Sequence, residues 1–283
     1  MSKVQILVPP PAVLKNGEPD AAGMNRYFNW MADHGVDGLF INGSTGEFTR
    51  LTDDQKVETL RIAKESVGSR MYLIAGAITG SADLTCRLAA RYKEYGADAI
   101  AVAPPYYFKH NQESIKAFQL EVAERSVLPV YLYDIPAFSN GMSFETIVEL
   151  SAHPNIIGLK DSSRDFSRFE LLLSTIKKRR PEFKIYTGTE ELLLVSLIMG
   201  ADGATIATAG IVPDLVRRLA DAFEKGDLAE AKKVQFELLP MIRKWASKDF
   251  PEGFRDAVAE LGFLCPCPGG KLLSTNTPWN IEP

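Results

Sequence analysis

One lysine stands at the end of an apolar run, where its amine could become reactive. Residues 156–159 are Ile-Ile-Gly-Leu, which is typical of a buried strand, and Lys160 and Asp161 follow at once. A lysine that leaves such a strand is partly removed from water, and desolvation lowers the pKa of its ammonium group. The neutral amine could attack a ketone and form a Schiff base. The alternative is an ordinary surface lysine at a strand end, so the rest of the chain must decide.

Tyr133 ends another apolar run and is followed by Asp134-Ile135-Pro136. A tyrosine titrates near pH ~10 and takes part in acid-base chemistry only when neighbours tune it. Tyr133 could therefore move protons if it lay close to Lys160. Without that lysine, an aromatic side chain packed at a strand end is the better interpretation.

A third motif is Gly43-Ser44-Thr45-Gly46-Glu47. Small hydroxyl residues between two glycines leave backbone N–H groups free, and such a loop can bind a carboxylate. The motif is weak by itself, because Ser44 and Glu47 could instead form a local capping box.

The elements around these motifs alternate between strand and helix. Eight strand and helix units without a linker favour a parallel (β/α)8 TIM barrel, an α/β fold, over an open sheet. Thr52 and Gln55 predict a capping box at one helix start. The predicted strands are 4–8, 35–42, 71–77, 97–103, 129–133, 155–161, 184–187 and 203–207. The predicted helices between them are 20–34, 52–67, 81–95, 112–125, 143–152, 167–178 and 188–199. The segment 15–18 is predicted to be a plain connection.

The pattern becomes purely helical past Pro213. Segments 215–223, 228–245 and 253–261 are amphipathic. We therefore divide the chain into a barrel, 1–212, that carries the active site and a C-terminal helical extension, 213–283, packed on it. The tail 265–283 is rich in Pro, Gly and Asn and is expected to be irregular.

Composition points to a small-molecule partner. With 32 basic and 36 acidic residues the net charge is −4, which gives no general attraction to nucleic acid or to an anionic membrane. No apolar run is long enough to span a membrane, and the N-terminus lacks a signal-peptide core, so a cytoplasmic location is expected. The three cysteines cannot form a disulfide framework, and Cys265-Pro-Cys267 lacks the further ligands of a zinc site. His34, His110 and His153 are too scattered to suggest a metal, and we expect no cofactor.

In a barrel of this kind the C-terminal strand ends face one mouth, where the active site belongs. The barrel topology therefore predicts that residues distant in sequence lie together at this mouth. They are Ser44, Thr45, Tyr106, Tyr107, Tyr133, Lys160, Gly188, Glu190 and Glu191.

The motifs 43–47, 133–136 and Gly158-Leu159-Lys160-Asp161 resemble, in order and spacing, those of the dihydrodipicolinate synthase and N-acetylneuraminate lyase family of class I aldolases. The resemblance covers nearly the whole chain. It implies a pyruvate Schiff base on Lys160, with Tyr133 moving protons. It also implies that Thr45 joins a proton relay to Tyr133, together with Tyr107 from a neighbouring subunit. The resemblance therefore implies a homo-oligomer, either a dimer or a tetramer.

Departures from the family pattern bear on the substrate. Dihydrodipicolinate synthases usually carry an arginine after their Tyr-Asn-x-Pro motif, and this arginine binds the second carboxylate of the substrate or product. At the matching positions this chain has Ala137-Phe138-Ser139. This sequence is closer to the Pro-Ala-Leu-Ser of sialic acid lyases. Ala207 and Thr189, however, differ from the residues usual in those lyases. Asp134 replaces the Asn that is more usual in the family, and the sequence does not explain this replacement.

We therefore expect a pyruvate-dependent aldolase that acts on an unphosphorylated 2-keto-3-deoxy sugar acid. Glu190 and Glu191 could accept hydrogen bonds from sugar hydroxyls, although a charged helix start explains at least one of them equally well. The predicted substrate-binding residues are Ser44, Thr45, Phe138, Gly188, Glu190, Glu191 and Ile206. The alternatives are N-acetylneuraminate lyase, 4-hydroxy-tetrahydrodipicolinate synthase, a 2-keto-3-deoxy acid dehydratase, and a non-catalytic pyruvate-binding regulatory barrel.

Overall fold

The predicted strands close into a parallel barrel. The computed structural model describes residues 3–264 of the chain. Within them, the first of eight parallel strands pairs with both the second and the eighth, so the barrel sheet has no free edge. The (β/α)8 prediction is confirmed. The strands are β1 (Gln5–Val8), β2 (Gly38–Ile41), β3 (Tyr72–Gly76), β4 (Ala99–Val102), β5 (Val130–Asp134), β6 (Ile156–Asp161), β7 (Lys184–Thr187) and β8 (Gly203–Thr205).

Side chains along each strand alternate between the barrel interior and the surrounding helices. In β5, Tyr131 and Tyr133 belong to the interior cluster, whereas Val130 and Leu132 belong to the larger outer cluster. Lys160 in β6 is the register partner of Tyr133. Adjacent strands therefore carry the predicted lysine and tyrosine side by side.

The helices surround this barrel. Their bounds are α1 (Ala21–Asp33), α2 (Asp53–Val67), α3 (Ala82–Glu94), α4 (Gln112–Arg125), α5 (Phe144–Leu150), α6 (Phe166–Arg179), α7 (Leu193–Ile198), α8 (Pro213–Glu224), α9 (Leu228–Ala246) and α10 (Glu252–Glu260). The predicted capping box of α2 is present, since Thr52 Oγ1 accepts from Gln55 N at 3.2 Å and Gln55 Oε1 accepts from Thr52 N at 3.0 Å. The predicted helix 188–199 is a 3-10 turn, Glu190–Leu192, followed by the short α7.

The connection predicted at 15–18 is a small hairpin instead. Leu14–Lys15 pairs with Glu18–Pro19 in an antiparallel ladder. Asn16 and Gly17 between them both have positive φ, 53° and 83°. Asn-Gly is the residue pair that favours such a two-residue turn, so the signal was in the sequence and was missed.

Helix α8 lies in the ring as the eighth barrel helix. Arg217 of α8 donates to the carbonyl of Val4 at 3.3 Å, and Glu224 accepts from the Val4 N–H at 2.6 Å. Helices α9 and α10 then follow, and α9 packs on both α7 and α8. The division of the chain at residue 212 stays a prediction.

No helix among residues 3–264 is long and apolar enough to cross a membrane. The cytoplasmic location stays a prediction. Cys265, Cys267 and the tail predicted to be irregular lie outside the described residues.

Candidate active site

The Lys160 amine lies in a buried apolar setting. Its side chain projects from the C-terminal end of β6, and the residue is 6% exposed. The Nζ atom lies 4.4 Å from the ring centroid of Phe40 and 4.4 Å from that of Tyr133. Burial lowers the pKa of the amine to about 7, while the nearby Glu190 carboxylate acts in the opposite direction. A large fraction of this lysine is therefore neutral, and nucleophilic, near pH 7.

Tyr133 lies beside Lys160, and its phenol group is neutral. Its ring packs edge to face on Phe40, with centroids 5.3 Å apart, and its hydroxyl lies 3.2 Å from Ser44 Oγ. Burial raises the pKa of Tyr133 to about 12, and hydrogen bonds with Ser44 and Ser162 oppose that rise. The phenol keeps its proton at neutral pH and can pass it along these hydroxyls.

The hydroxyl next to Tyr133 belongs to Ser44, and not to Thr45 as the resemblance implied. The two residues lie in the turn after β2, and Ser44 is the one whose hydroxyl contacts Tyr133 of β5. Thr45 lines the cavity beside Lys160 and Tyr133. It is 5% exposed and makes no hydrogen bond within residues 3–264. Its N–H and hydroxyl remain available for a ligand carboxylate.

A buried ion pair holds the turn that carries Ser44 and Thr45. Glu47 accepts from Arg50 at 2.9 Å and from Arg255 of α10 at 3.3 Å. Arg255 also donates to the carbonyl of Ala12 at 2.7 Å. Burial raises the pKa of the Glu47 carboxyl, and the two arginines oppose that rise. Glu47 thus anchors the turn to the C-terminal helices, and the alternative of a Ser44 and Glu47 capping box is wrong.

Gly188 permits the close approach of β6 and β7 at the lysine. A Cβ there would lie 2.0 Å from Ser162 Oγ and 3.1 Å from Lys160 Cε. Its N–H donates to the Asp161 carbonyl at 2.6 Å. Gly188 lines the cavity as predicted, and its role is to leave room for neighbouring groups.

The two predicted carboxylates differ in position. Glu190 lines the cavity, and its Oε1 accepts from the Ala207 N–H at 3.1 Å. Burial raises the pKa of the Glu190 carboxyl. Glu191 is not among the residues that line the cavity and lies 3.9 Å from the Arg164 guanidinium. Glu190 is therefore the member of the pair that lines the cavity.

The Ile206 side chain does not line the cavity, and the assignment of Ile206 to substrate binding stays a prediction. It is 1% exposed, and its side chain belongs to the outer core between strands and helices. Its neighbours Thr205 and Ala207 line the cavity instead. Side chains alternate between the two faces at the end of β8, so the side chain of residue 206 lies on the face opposite to those of residues 205 and 207.

The cavity has a volume of about 340 Å³. Phe138 lies at its exposed end and is 53% exposed, with its ring centroid 5.3 Å from that of Phe250. Several lining residues that were not predicted from the sequence come from the loop after β6 and from the region of α9 and α10. They are Ser162, Arg164, Ile242, Trp245, Lys248, Phe250 and Phe254.

Tyr107 lies outside this cavity. It is 91% exposed, has a positive φ of 76°, and packs edge to face on Phe108, which is 69% exposed. Within one chain, Tyr107 is therefore not brought together with Lys160 and Tyr133.

The residues that follow Tyr133 and Lys160 are clamped together by one arginine. Asp134 and Asp161 are register partners, 0% and 4% exposed, and both accept hydrogen bonds from Arg168 Nη2 of α6. The second oxygen of Asp134 accepts from the Met142 N–H at 2.9 Å. This accounts for an aspartate at position 134, because its charge pairs with Arg168 and links the ends of β5 and β6 to α6.

Metal ligands do not cluster in the described part of the chain. Residues 3–264 contain no group of three or more His, Cys, Asp or Glu side chains placed to hold a metal ion.

Comparison with known proteins places this site in a family. A model of the dihydrodipicolinate synthetase family matches residues 5–267. The chain is 36% identical over 251 residues to 4-hydroxy-tetrahydrodipicolinate synthase 1 of Streptomyces coelicolor, covering 88% of this chain and 80% of that one. It is 30% identical over 245 residues to the probable 2-dehydro-3-deoxy-D-pentonate aldolase YjhH of Escherichia coli, covering 85% and 81%.

A solved structure shows the same fold. The crystal structure of YagE, a prophage protein of E. coli K12 that belongs to the dihydrodipicolinic acid synthase family, was determined in complex with pyruvate. It aligns with a TM-score of 0.86 at 28% identity, covering 91% of this chain and 88% of that one. The fold, the family model and the relatives agree, so the chain belongs to the dihydrodipicolinate synthetase family.

Proposed function

We propose that this protein is a pyruvate-dependent aldolase that cleaves or forms an unphosphorylated 2-keto-3-deoxy sugar acid through a Schiff base on Lys160. Membership of a family of Schiff-base lyases and aldolases makes the chain a lyase. The proposal adds the lysine, the partner residues and the substrate class. The observation that carries it is the buried Lys160 amine, 4.4 Å from the Tyr133 ring at the inner end of the cavity.

The first step is attack of the neutral amine on the ketone of the 2-keto acid. The carbinolamine loses water and leaves an iminium, which draws electrons from the neighbouring carbon. Lys160 is suited to this step because burial keeps the pKa of its amine near neutrality. Thr45, which has no partner within residues 3–264, is suited to hold the substrate carboxylate.

The carbon-carbon step needs a proton to leave the C4 hydroxyl. As the C3–C4 bond breaks, its electron pair moves to the iminium and gives an enamine, and the hydroxyl carbon becomes an aldehyde. Tyr133 accepts the hydroxyl proton while it passes its own proton to Ser44, 3.2 Å away, and Ser44 releases its own hydroxyl proton to solvent, from which the enamine later takes one. Protonation of the enamine at C3 and hydrolysis of the iminium release pyruvate and restore the amine. Glu190 is placed to accept a hydrogen bond from a substrate hydroxyl.

The test is reductive trapping. With pyruvate and borohydride, the protein should gain one reduced pyruvyl group, and peptide mapping should place it on Lys160. Lys160→Ala should abolish both adduct and turnover. Lys56→Met is the matched control, because Lys56 is also buried, at 8% exposure, but is paired with Asp53 outside the cavity. An adduct on any other lysine would refute the assignment.

A second candidate is 4-hydroxy-tetrahydrodipicolinate synthase, which the name of the S. coelicolor relative favours. The apolar, half-exposed Phe138 stands where the resemblance places an arginine in those enzymes. We therefore expect condensation of pyruvate with hydroxylated aldehydes to have a higher kcat/KM than condensation with aspartate semialdehyde. The reverse order would favour the synthase.

The exposed Tyr107 supports a homo-oligomer in which a second copy covers this residue. Lys160→Ala and Tyr107→Phe variants, mixed and allowed to exchange subunits, should regain activity if each site takes Tyr107 from its partner. Failure to regain activity in a proven mixed oligomer would confine Tyr107 to a structural role.

A further inference from the structure

The cavity has a reactive end and an end that carries a cation. Lys160 and Thr45 at the inner end are 6% and 5% exposed, whereas the Arg164 side chain is 69% exposed. All three line the same cavity of about 340 Å³, a size suited to a small metabolite. A substrate joined to Lys160 through its ketone therefore extends its remaining carbons toward Arg164.

Arg164 occupies a backbone position that favours glycine. Its φ is +65°, which costs free energy for any residue with a Cβ. The loop is fixed on both sides of it. Ser163 donates to Asp161 Oδ1 through both its N–H, at 2.8 Å, and its hydroxyl, at 2.6 Å, and Asp165 N–H donates to Ser163 Oγ at 3.1 Å. The loop thus holds a long cationic side chain at the rim of the cavity.

The Arg164 guanidinium is available to a ligand. Its contact with Glu191, at 3.9 Å, is beyond hydrogen-bond distance, and it donates no hydrogen bond to any residue of 3–264. Lys248, another cation that lines the cavity, is already paired with Asp256 at 2.6 Å. A guanidinium presents parallel N–H donors that match a carboxylate.

We infer that Arg164 binds a carboxylate at the far end of the aldehyde part, so that the substrate is a 2-keto-3-deoxy sugar diacid. This inference rests on the proposed function. The Glu191 carboxylate, 3.9 Å from the guanidinium, disfavours a doubly charged phosphate at the same place. Aspartate semialdehyde carries an ammonium next to its carboxylate, which the like charge of Arg164 repels.

The test compares two aldehydes in condensation with pyruvate. Glyceraldehyde and 2-hydroxy-3-oxopropanoate have the same carbon number and differ only in a terminal CH2OH or carboxylate. The wild type should prefer the carboxylated aldehyde in kcat/KM by roughly 2-fold to 5-fold, the value of an ion pair at a largely exposed arginine. Arg164→Gly, which removes the guanidinium and suits the positive φ, should abolish that preference. Its effect on glyceraldehyde turnover should be smaller than its effect on turnover of the carboxylated aldehyde. Arg164→Lys should restore part of the preference.

Arg218→Gln is the matched control, since this arginine lies on α8 outside the cavity and should keep the preference unchanged. If the wild type forms no pyruvate adduct, the proposed function itself fails. If the adduct forms but glyceraldehyde is preferred, or Arg164→Gly lowers both aldehydes equally, the inference fails while the proposed function stands. Preference for glyceraldehyde 3-phosphate over the carboxylated aldehyde would also overturn it.

Discussion

The Lys160 amine should lose its proton near neutral pH, and the rate of pyruvate adduct formation should report this directly. Burial lowers the pKa of the amine from an ordinary 10.5 to about 7. At pH 7 an ordinary lysine is neutral in roughly one molecule of 3,000, whereas an amine with a pKa near 7 is neutral in about half. The structure thus provides roughly 1,000-fold more reactive amine at neutral pH than an exposed lysine has.

The sign of the pH dependence follows from which form reacts. The neutral amine is the nucleophile, so the adduct rate should rise with pH and level off above about 7. The Glu190 carboxylate stabilises the ammonium form and raises the pKa of Lys160. Glu190→Gln should therefore move the midpoint to lower pH. Glu191→Gln, which alters a side chain outside the cavity lining, should leave the midpoint unchanged.

The assay follows the fraction of trapped protein by intact mass, with saturating pyruvate and cyanoborohydride, from about pH 5 to about pH 10. Each pH needs a blank without pyruvate. A rate that still rises at the upper end would show a lysine with an ordinary pKa. A midpoint that moves upward in Glu190→Gln would show that the carboxylate acts in some other way.

Four further variants test the side chains around the site. Tyr133→Phe should keep pyruvate adduct formation but lose about 100-fold or more in carbon-carbon cleavage, and equal turnover would reject its role. Gly188→Ala places a Cβ 2.0 Å from Ser162 Oγ. It should lower the rate of adduct formation, and it should lower the free energy of unfolding by about 1–3 kcal/mol. A variant with unchanged rate and stability would contradict the close approach of β6 and β7 at this residue. Arg168→Met leaves two buried carboxylates unpaired and should cost about 3–5 kcal/mol in denaturant unfolding. Asp134→Asn keeps one acceptor and relieves repulsion, so it should cost about 1 kcal/mol or less, and equal losses would refute the clamp.

The barrel and the reactive pair could be predicted because their signals are local. Strand and helix patterns alternate in sequence, and the ends of parallel strands meet at one mouth whatever their separation along the chain. Lys160 and Tyr133 each end a strand, so the topology alone brings them together. The side-chain direction of Ile206 is also a local signal, because alternation counted from Thr205 places the side chain of residue 206 on the outer face.

The remaining features depend on tertiary structure. The positive φ of Arg164 cannot be read from an arginine, although its place in the loop just after Lys160 was a usable signal. The choice between Ser44 and Thr45 depends on how one turn is oriented. Trp245 and Lys248 reach the cavity because the C-terminal helices pack beside the barrel mouth, and a helical pattern does not specify where it will dock.

The contacts of those last helices bear on how the protein could be divided or recombined. Arg255 of α10 anchors the turn of Glu47, and Gln235 of α9 donates to the Glu190 carbonyl at 3.2 Å while accepting from the Leu194 N–H at 3.0 Å. A barrel truncated after residue 212 would keep its lysine but lose the wall of the cavity and the support of two loops. Chimaeras that exchange barrel and helices between relatives should therefore inherit substrate preference from both parents, and activity only where these junction contacts match.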